Sequence, residues 1–387
     1  MLAPSQTLLT ERRPLAALCD IVEPWRRLAA HAAEPNVFYE PGFALAAAPV
    51  LGREVEAILV WSADMPRRLV GLFPFRVAAR RYGVKLPVLE GWTHPFAPLG
   101  TPLVDRDATA AVVPSFLDHV ATNAMLPKLL LLPLLNDSGP VAQALRAAVE
   151  RGALATFGRH RRAALRPDGD ATHYVERAIG KKRHKEFQRL RRRLAEAGPV
   201  AFEVAQSPAA VAAALQDFLA LESKGWKGAA GTALTQAPKL RRFAETAVDA
   251  LARQGQAGVA RLLLGSRPIA CIVTLHSAGV AWCWKIAYDE SLARFSPGVQ
   301  AMMELTEALL ADDTVEFADS CATPDHPMID HLWRERITMV DMMIGLQPGT
   351  RFAIACRLET ARRRAIAWAR GLRNFLRRSA RSALRSG

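Results

Sequence analysis

Three strand patterns, at 258–264, 268–275 and 280–287, follow one another, separated by Gly265-Ser266-Arg267 and by Ser277-Ala278-Gly279 after His276. Connections of three or four residues leave no room for a crossover helix, so these strands must pair with their neighbours as antiparallel hairpins. A meander of this kind buries a face only if helices cover it. Apolar periodicity supplies them, over 238–254 before the meander and 299–310 after it. A loop at 288–298 leads into the second helix. Strand 314–318, a short helix at 328–333 and strand 337–342 complete this half.

The preceding chain alternates in the same way. A helix near 25–33 ends at Glu34-Pro35-Asn36, and strands follow at 56–61 and 68–77. The stretch 82–102, rich in Pro and Gly, carries Trp92, His94 and Phe96. Helix 107–122, strand 127–134, helix 139–152 and strand 154–166 complete the first half. Alternation of this type predicts an α/β layer architecture. At 387 residues the chain exceeds one ordinary domain. Arg166-Pro167-Asp168-Gly169-Asp170 is the best linker by turn chemistry. A charged helix at 172–197 follows, stopped by Gly198-Pro199. After strand 200–205, Ser207-Pro208 opens another helix with serine as N-cap and proline at the first position. The expected units are 1–166, 170–350 and a tail, 351–387.

Half the residues are apolar and 23% charged, an ordinary globular balance. The five cysteines (Cys19, Cys271, Cys283, Cys321, Cys356) form no CxxC pair, which points to reduced thiols and a cytoplasmic setting. The N-terminus lacks the apolar run of a signal peptide. The run 129–135 contains Pro133 and is far short of the roughly 18 residues that span a bilayer. Charge is concentrated. Residues 351–387 hold eleven Arg and one Glu, a net +10 of the chain's +14, so the other 350 residues carry only +4. A second cluster, 181–193, has eight Lys or Arg against Glu186. Such segments attract phosphates, nucleic acid or an acidic membrane.

The order of meander, glycine-ended loop, helix and adjoining strand resembles the GNAT superfamily of acyltransferases. The words FLALESKGWKGAAGTAL (218–234), RPIACIVT (267–274) and WKIAYDESLARFSPGVQ (284–300) are similar to the CelD-like acetyltransferases linked to cellulose and exopolysaccharide synthesis. The likeness spans about 170–335, with 181–198 matching the family's basic lead-in. In element order the first half is similar to the degenerate N-terminal GNAT-like domain that such proteins share with Fem-type peptidyltransferases. The resemblance implies two tandem GNAT-like domains, each a mixed, largely antiparallel sheet flanked by helices. It also implies acetyl-CoA or another acyl-CoA as co-substrate, an amine, hydroxyl or glycan acceptor, and no metal.

A pyrophosphate requires backbone N–H groups at a helix N-terminus with no side chain in the way. Ser296-Pro297-Gly298, just before Val299, meets that need: Gly298 permits close approach, Ser296 can donate or cap, and Arg294 can pair with phosphate. Gly298 and Gln300 fall at the glycine positions of the family loop, so Gln300 departs from its pattern. Strand 280–287 should place Trp282 and Trp284 on one face and Cys283 and Lys285 on the other. Lys285, in an otherwise apolar strand, is a candidate contact for phosphate or acceptor.

Acyl transfer requires a base for the acceptor and an acid or dipole for the leaving thiolate. Base candidates are Glu222, Asp319 and His326, with Trp226 and Lys227 beside the acceptor. The tyrosine that many GNAT enzymes place after the cofactor helix is absent, which leaves Tyr288, a cysteine or water for the thiolate. The family's Lys-x-x-Trp element appears as His331-Leu332-Trp333 without its lysine. Asp325-His326 and Asp330-His331 lack metal-ligand spacing. Asp289-Glu290 reads as turn chemistry.

From Ile354 the tail places Leu358, Ala361, Ala365, Trp368, Leu372, Phe375 and Leu376 at helical spacing among arginines. Such a helix can lie on an anionic membrane or dock on the protein, while a nucleic-acid role is the least favoured. Acyl-CoA-dependent transfer is the leading reading. A Fem-like transferase using aminoacyl-tRNA and an inactive membrane adaptor are its rivals. Limited proteolysis should cut near 166–170 or within about the last 30 residues; cleavage inside 280–310 would contradict the expected core.

Overall fold

The computed structural model describes residues 7–149, 153–166, 173–347 and 349–383, with 370 and 372–383 described by backbone alone. The first half contains β1 (Leu8–Pro14), α1 (Val22–Ala30), α2 (Pro41–Leu51), β2 (Glu56–Ser62), β3 (Leu69–Ala78), β4 (Val88–Gly91) and β5 (Leu103–Val104). It continues through α3 (Thr109–Thr122), β6 (Leu129–Asn136), α4 (Pro140–Ala148) and β7 (Leu154–Leu165). The second half opens with α5 (Tyr174–Ile179), α6 (Lys181–Ala195), β8 (Val200–Ala205), α7 (Pro208–Lys224), α8 (Trp226–Ala229) and α9 (Pro238–Ala252). The meander β9 (Ala257–Leu264), β10 (Arg267–Ser277) and β11 (Val280–Tyr288) follows. Then come α10 (Pro297–Leu310), β12 (Phe317–Asp319), α11 (Ile329–Leu332), β13 (Glu335–Gly345) and α12 (Thr350–Ala383).

One mixed, largely antiparallel sheet runs through both halves in the order β1-β2-β3-β4-β6-β13-β7-β12-β11-β10-β9-β8, with β5 beside β3. Among the described residues its parallel contacts are β4–β6 and β11–β12. The centre of the sheet is an exchange. The last strand of the chain, β13, enters the first half beside β6, while β7 of the first half lies beside β12 of the second. β7 and β13 pair with each other from Glu335↔Ala164 to Ile344↔Leu154. Met339, Val340, Met342, Met343 and Ile344 are fully buried, as a strand covered on both faces requires. The linker expected at 166–170 falls mostly outside the described residues.

Helices cover both faces of the sheet. On one face a single core crosses the halves, joining Phe38 and Phe43 to Phe218, Phe243, Trp282 and Trp284. Here α2 and α9 approach closely at Gly42, where a Cβ would lie 3.2 Å from that of Ala250. On the other face, α3 and α4 cover the first half and α10 with α11 the second.

The meander and its covering helices form as the spacing predicts, and Ser207 Oγ accepts from Ala210 N at 3.4 Å as the N-cap of α7. Several elements differ from expectation, among them α2 and β5, which the sequence pattern did not place. The helix at 172–197 breaks at Gly180, whose φ of +83° is left-handed, into α5 and α6. β4 forms inside the Pro/Gly-rich stretch. β1 went unseen because it is a charged edge strand, with Glu11, Arg12 and Arg13 in place of an apolar alternation.

The expected basic helix is present as α12, and its opening turns dock. Phe352 and Ala355 pack near β13, and Glu359 is fully buried. The Glu359 carboxylate accepts from Arg81 Nε at 3.1 Å, Arg81 Nη2 at 3.2 Å and Arg363 Nε at 2.7 Å. Arg81 also donates to Glu90 at 2.5 Å, and Arg363 pairs with Asp341. Replacing Glu359 with Ala leaves Arg81 with Glu90 alone and Arg363 with Asp341 alone, and should destabilise the protein by about 2 kcal/mol in urea unfolding. A chain ending at residue 364 keeps these contacts and should retain the parent's stability.

Candidate active site

β11 and β12 stay paired only from Val280↔Phe317 to Trp282↔Asp319. β11 then runs on to Tyr288 while β12 stops. Asp319 is the reason. Its Oδ1 accepts from Cys321 N at 2.8 Å and its Oδ2 from Arg162 Nη1 at 2.9 Å, and Arg162 also donates to Pro98 O at 2.7 Å. Asp319 is buried in this ion pair, outside the cleft, so it ends a strand where the sequence offered it as a base.

The splay opens a cleft of about 420 Å³ beside the N-terminus of α10. Of the residues expected in a site, Glu222, Trp226, Lys227, Tyr288, Ser296, Gly298, Val299 and His326 line it. At its base the buried Glu222 accepts from Leu234 N at 2.8 Å and from Lys227 Nζ at 3.4 Å. Lys227 Nζ also donates to Ile286 O at 3.0 Å, which fixes the ammonium against the β11 backbone on its open side. His326 Nδ1 accepts, at 3.4 and 3.5 Å, from Met328 N and Ile329 N, which puts the proton on Nε2. Burial lowers its pKa and keeps it neutral at pH 7.

The loop before α10 is tighter than expected. Ser296 adopts a left-handed conformation (φ 53°, ψ 51°) and makes no side-chain cap. Its carbonyl instead accepts from Val299 N at 3.0 Å and Gln300 N at 3.1 Å. Pro297 has no N–H, so Gly298 N–H is the remaining donor at this helix start. Gln300 turns inward and donates to Phe295 O at 2.8 Å, and Arg294 stacks on the Phe295 ring at 4.7 Å. Neither lines the cleft. Among contributors the sequence did not single out, Glu290 accepts from Trp226 N at 2.6 Å, a tie across 64 positions that local turn chemistry conceals.

Lys285 corrects the expected alternation. The β10–β11 register steps from Val273↔Lys285 to Thr274↔Cys283, leaving Trp284 as the extra residue of a bulge. Trp284 and Lys285 therefore share one face. Trp284 Nε1 donates to Phe96 O at 2.8 Å, and Lys285 Nζ sits 4.6 Å from the Phe96 ring centroid. Burial pulls the Lys285 pKa down to about 8, against the attraction of Glu222. No oxygen lies in hydrogen-bond range of its amine among the described residues.

The first half has the matching parallel pair, Leu89↔Leu130 and Glu90↔Leu131. Its own loop closes over it: Gly100 N donates to Leu134 O at 3.1 Å, and a Cβ on Gly100 would meet Pro133 O at 2.1 Å. Beside the cleft of the second half, α6 is pinned to α10 by Arg191–Glu304 at 2.7 Å. Arg183 joins Val299 and Met328 around an adjoining hollow of about 160 Å³.

The family profile described as an acetyltransferase (GNAT) domain matches residues 181–323, which run from α6 through β12 to the rim of the cleft. This segment is similar to a GNAT domain. No curated protein matches the sequence. Among solved structures, the fold is similar to FemX, with TM-score 0.53 and 10% identity over 83% of this chain and 95% of that one. It is also similar to the C-terminal DUF2156 domain of an Agrobacterium fabrum protein assigned as a lysylphosphatidylglycerol synthetase (TM-score 0.53, 12% identity, 89% and 96% covered). A conserved Bacteroides thetaiotaomicron protein of unknown function gives TM-score 0.51 at 9% identity, with 87% and 100% covered. These likenesses of fold extend over both halves of the chain.

Gly298 is the sharpest test of the cleft. An added Cβ would lie 3.1 Å from Tyr288 Cδ1 and 3.7 Å from Ile286 Cδ1. Gly298→Val should fill the space in front of Tyr288 and narrow this end of the cleft, with the fold kept, so a ligand that reaches the start of α10 should bind more than tenfold more weakly in calorimetry. Gly298→Ala should show a smaller loss.

Proposed function

We propose that the second half transfers an acyl group, acetyl in the first instance, from acyl-CoA to an amine or hydroxyl in the cleft at the β11–β12 splay. The observation that carries this reading is the placement of Lys227. Two of its three N–H bonds are taken by Glu222 and the Ile286 carbonyl, so the third is free to face oxygen docked on the open strand. There it stabilises the charge that builds on the acyl oxygen as the acceptor attacks. Glu222 is then a positioning residue.

Lys285, behind the cleft lining and within electrostatic reach of Glu222 and Lys227, is the base in this scheme and takes the proton through a bridging water. The acceptor's N–H or O–H proton passes to it as the new C–N or C–O bond forms. The C–S bond breaks, and the thiolate recovers a proton from the Tyr288 hydroxyl or from water to leave as the thiol. Gly298 N–H and the α6 cations would hold the phosphates, through charge more than through a nest of amides. Trp226, 59% exposed at the rim, offers a flat apolar surface to a sugar ring. That supports a glycan or polysaccharide precursor as acceptor, the class the CelD-like words imply.

A second reading has its own support. The strongly basic α6 beside the cleft and the single free amide at 297–300 suit an aminoacyl-tRNA donor. FemX and the Agrobacterium domain share the two-half fold. In thermal shift, acetyl-CoA should raise the melting temperature and tRNA should bind weakly. tRNA binding that falls steeply with salt, with no response to acetyl-CoA, would favour the second reading.

The base assignment fixes a pH profile. Lys285 accepts a proton only when neutral, so acetyl transfer to glucosamine as probe should rise with pH and level off above about 8. Lys285→Met should lose about 100-fold in kcat and flatten that rise. A folded-state pKa below the unfolded value means the wild type is penalised at pH 7 and regains stability as pH climbs from about 8 towards the unfolded pKa. The same variant should therefore melt higher at pH 7, by on the order of 1 kcal/mol.

A further inference from the structure

The docked face of α12 and its apolar face point in opposite directions. Phe352, Ala355 and Glu359 turn toward the protein. At about 100° per residue, Ile354, Leu358, Ala361, Ala365 and Trp368 fall about 160–240° round the axis from Phe352, the side away from it. Their exposure agrees: Ile354 is 45% and Trp368 72% exposed, and Ala361 and Ala365 are exposed too. A helix held by buried ion pairs thus presents an unpartnered apolar stripe to solvent.

Charge decides what covers it. Residues 360–387 contain nine Arg and no Asp or Glu. Arg357 and Arg364 flank the stripe, and Arg364 is exposed. No helix of the described residues is long and apolar enough to cross a membrane. A stripe of Leu, Ile, Ala and Trp bordered by arginine fits the interface of an anionic bilayer, where the apolar side enters the acyl boundary and guanidinium groups reach phosphate. RNA would use the arginines but leave the stripe uncovered.

We infer that α12 is a peripheral membrane contact: its Phe352–Glu359 face grips the protein while its Ile354–Trp368 face lies on an anionic bilayer. The inference does not rest on the acyl-transfer reading, because it needs neither the cleft nor a co-substrate. The two terms act together. Charge alone is screened within roughly 8 Å at physiological salt, and the short apolar stripe alone is too small to hold the protein.

The test is sedimentation of the full chain with vesicles of phosphatidylcholine containing 30% phosphatidylglycerol. Expected are binding in 0.15 M salt, loss in 0.5 M salt, and no binding to pure phosphatidylcholine. Trp368→Glu, at an exposed position, should weaken binding at least tenfold without changing the melting temperature. A chain ending at residue 364, which keeps the docked turns, should not bind. Equal binding to neutral vesicles, or unchanged binding by Trp368→Glu, would overturn the proposal. So would tighter binding of a 20-nucleotide RNA than of the anionic vesicles, which would assign the surface to nucleic acid. Failure of the acetyl-CoA thermal shift would leave it standing.

Discussion

The pairing of β7 with β13 is the constraint on which the rest of the molecule depends. Each half ends in a strand that completes the other half's sheet, so neither half can bury its own central strand edges alone. Unpaired backbone at the centre of a sheet is too costly to persist. The two halves are therefore obligate partners, whatever their origin. The exchange also decides where the chain goes next. β13 delivers the start of α12 to the first half, where Arg81 waits for Glu359.

The same exchange builds the cleft. Arg162 belongs to β7 of the first half, yet it holds Asp319 of the second and thereby ends β12 after three residues. A buried ion pair of this kind adds little net stability, because desolvation offsets most of the attraction. Its contribution is geometric. It parts two parallel strands and leaves the β11 backbone open on one side. In the first half the equivalent parting is filled by the loop around Gly100 and Pro133, so the two similar halves carry one open cleft between them.

Two lysines acquire their meaning from that opening. Lys227 is drawn into the cleft by Glu222 and the Ile286 carbonyl, and Lys285, outside the cleft lining, is turned onto the face of Trp284 and against Phe96 by the bulge there. Neither position follows from residue type. A lysine in a strand reads as an edge or a surface group until a one-residue bulge reverses its face, and a bulge depends on the register with a second strand.

The meander is legible in the chain alone, because connections of three or four residues admit only hairpins. The sequence determined the helix starts at Ser207-Pro208 and at the Pro297-Gly298 turn, since capping and φ restrictions are local. It put residues 218–234 and 284–300 together through words that resemble one family branch, and residues of both stretches line one cleft. What it could not determine depends on contacts between distant residues. The roles of Asp319, Lys285 and Gln300 turned on Arg162, a register shift and the Phe295 carbonyl respectively, and none of these is visible from neighbours in the chain. The tail shows the division most plainly. Its helical spacing fixed which residues share the apolar stripe, but the buried Glu359–Arg81 contact, joining positions 278 apart, decided that the stripe faces outward.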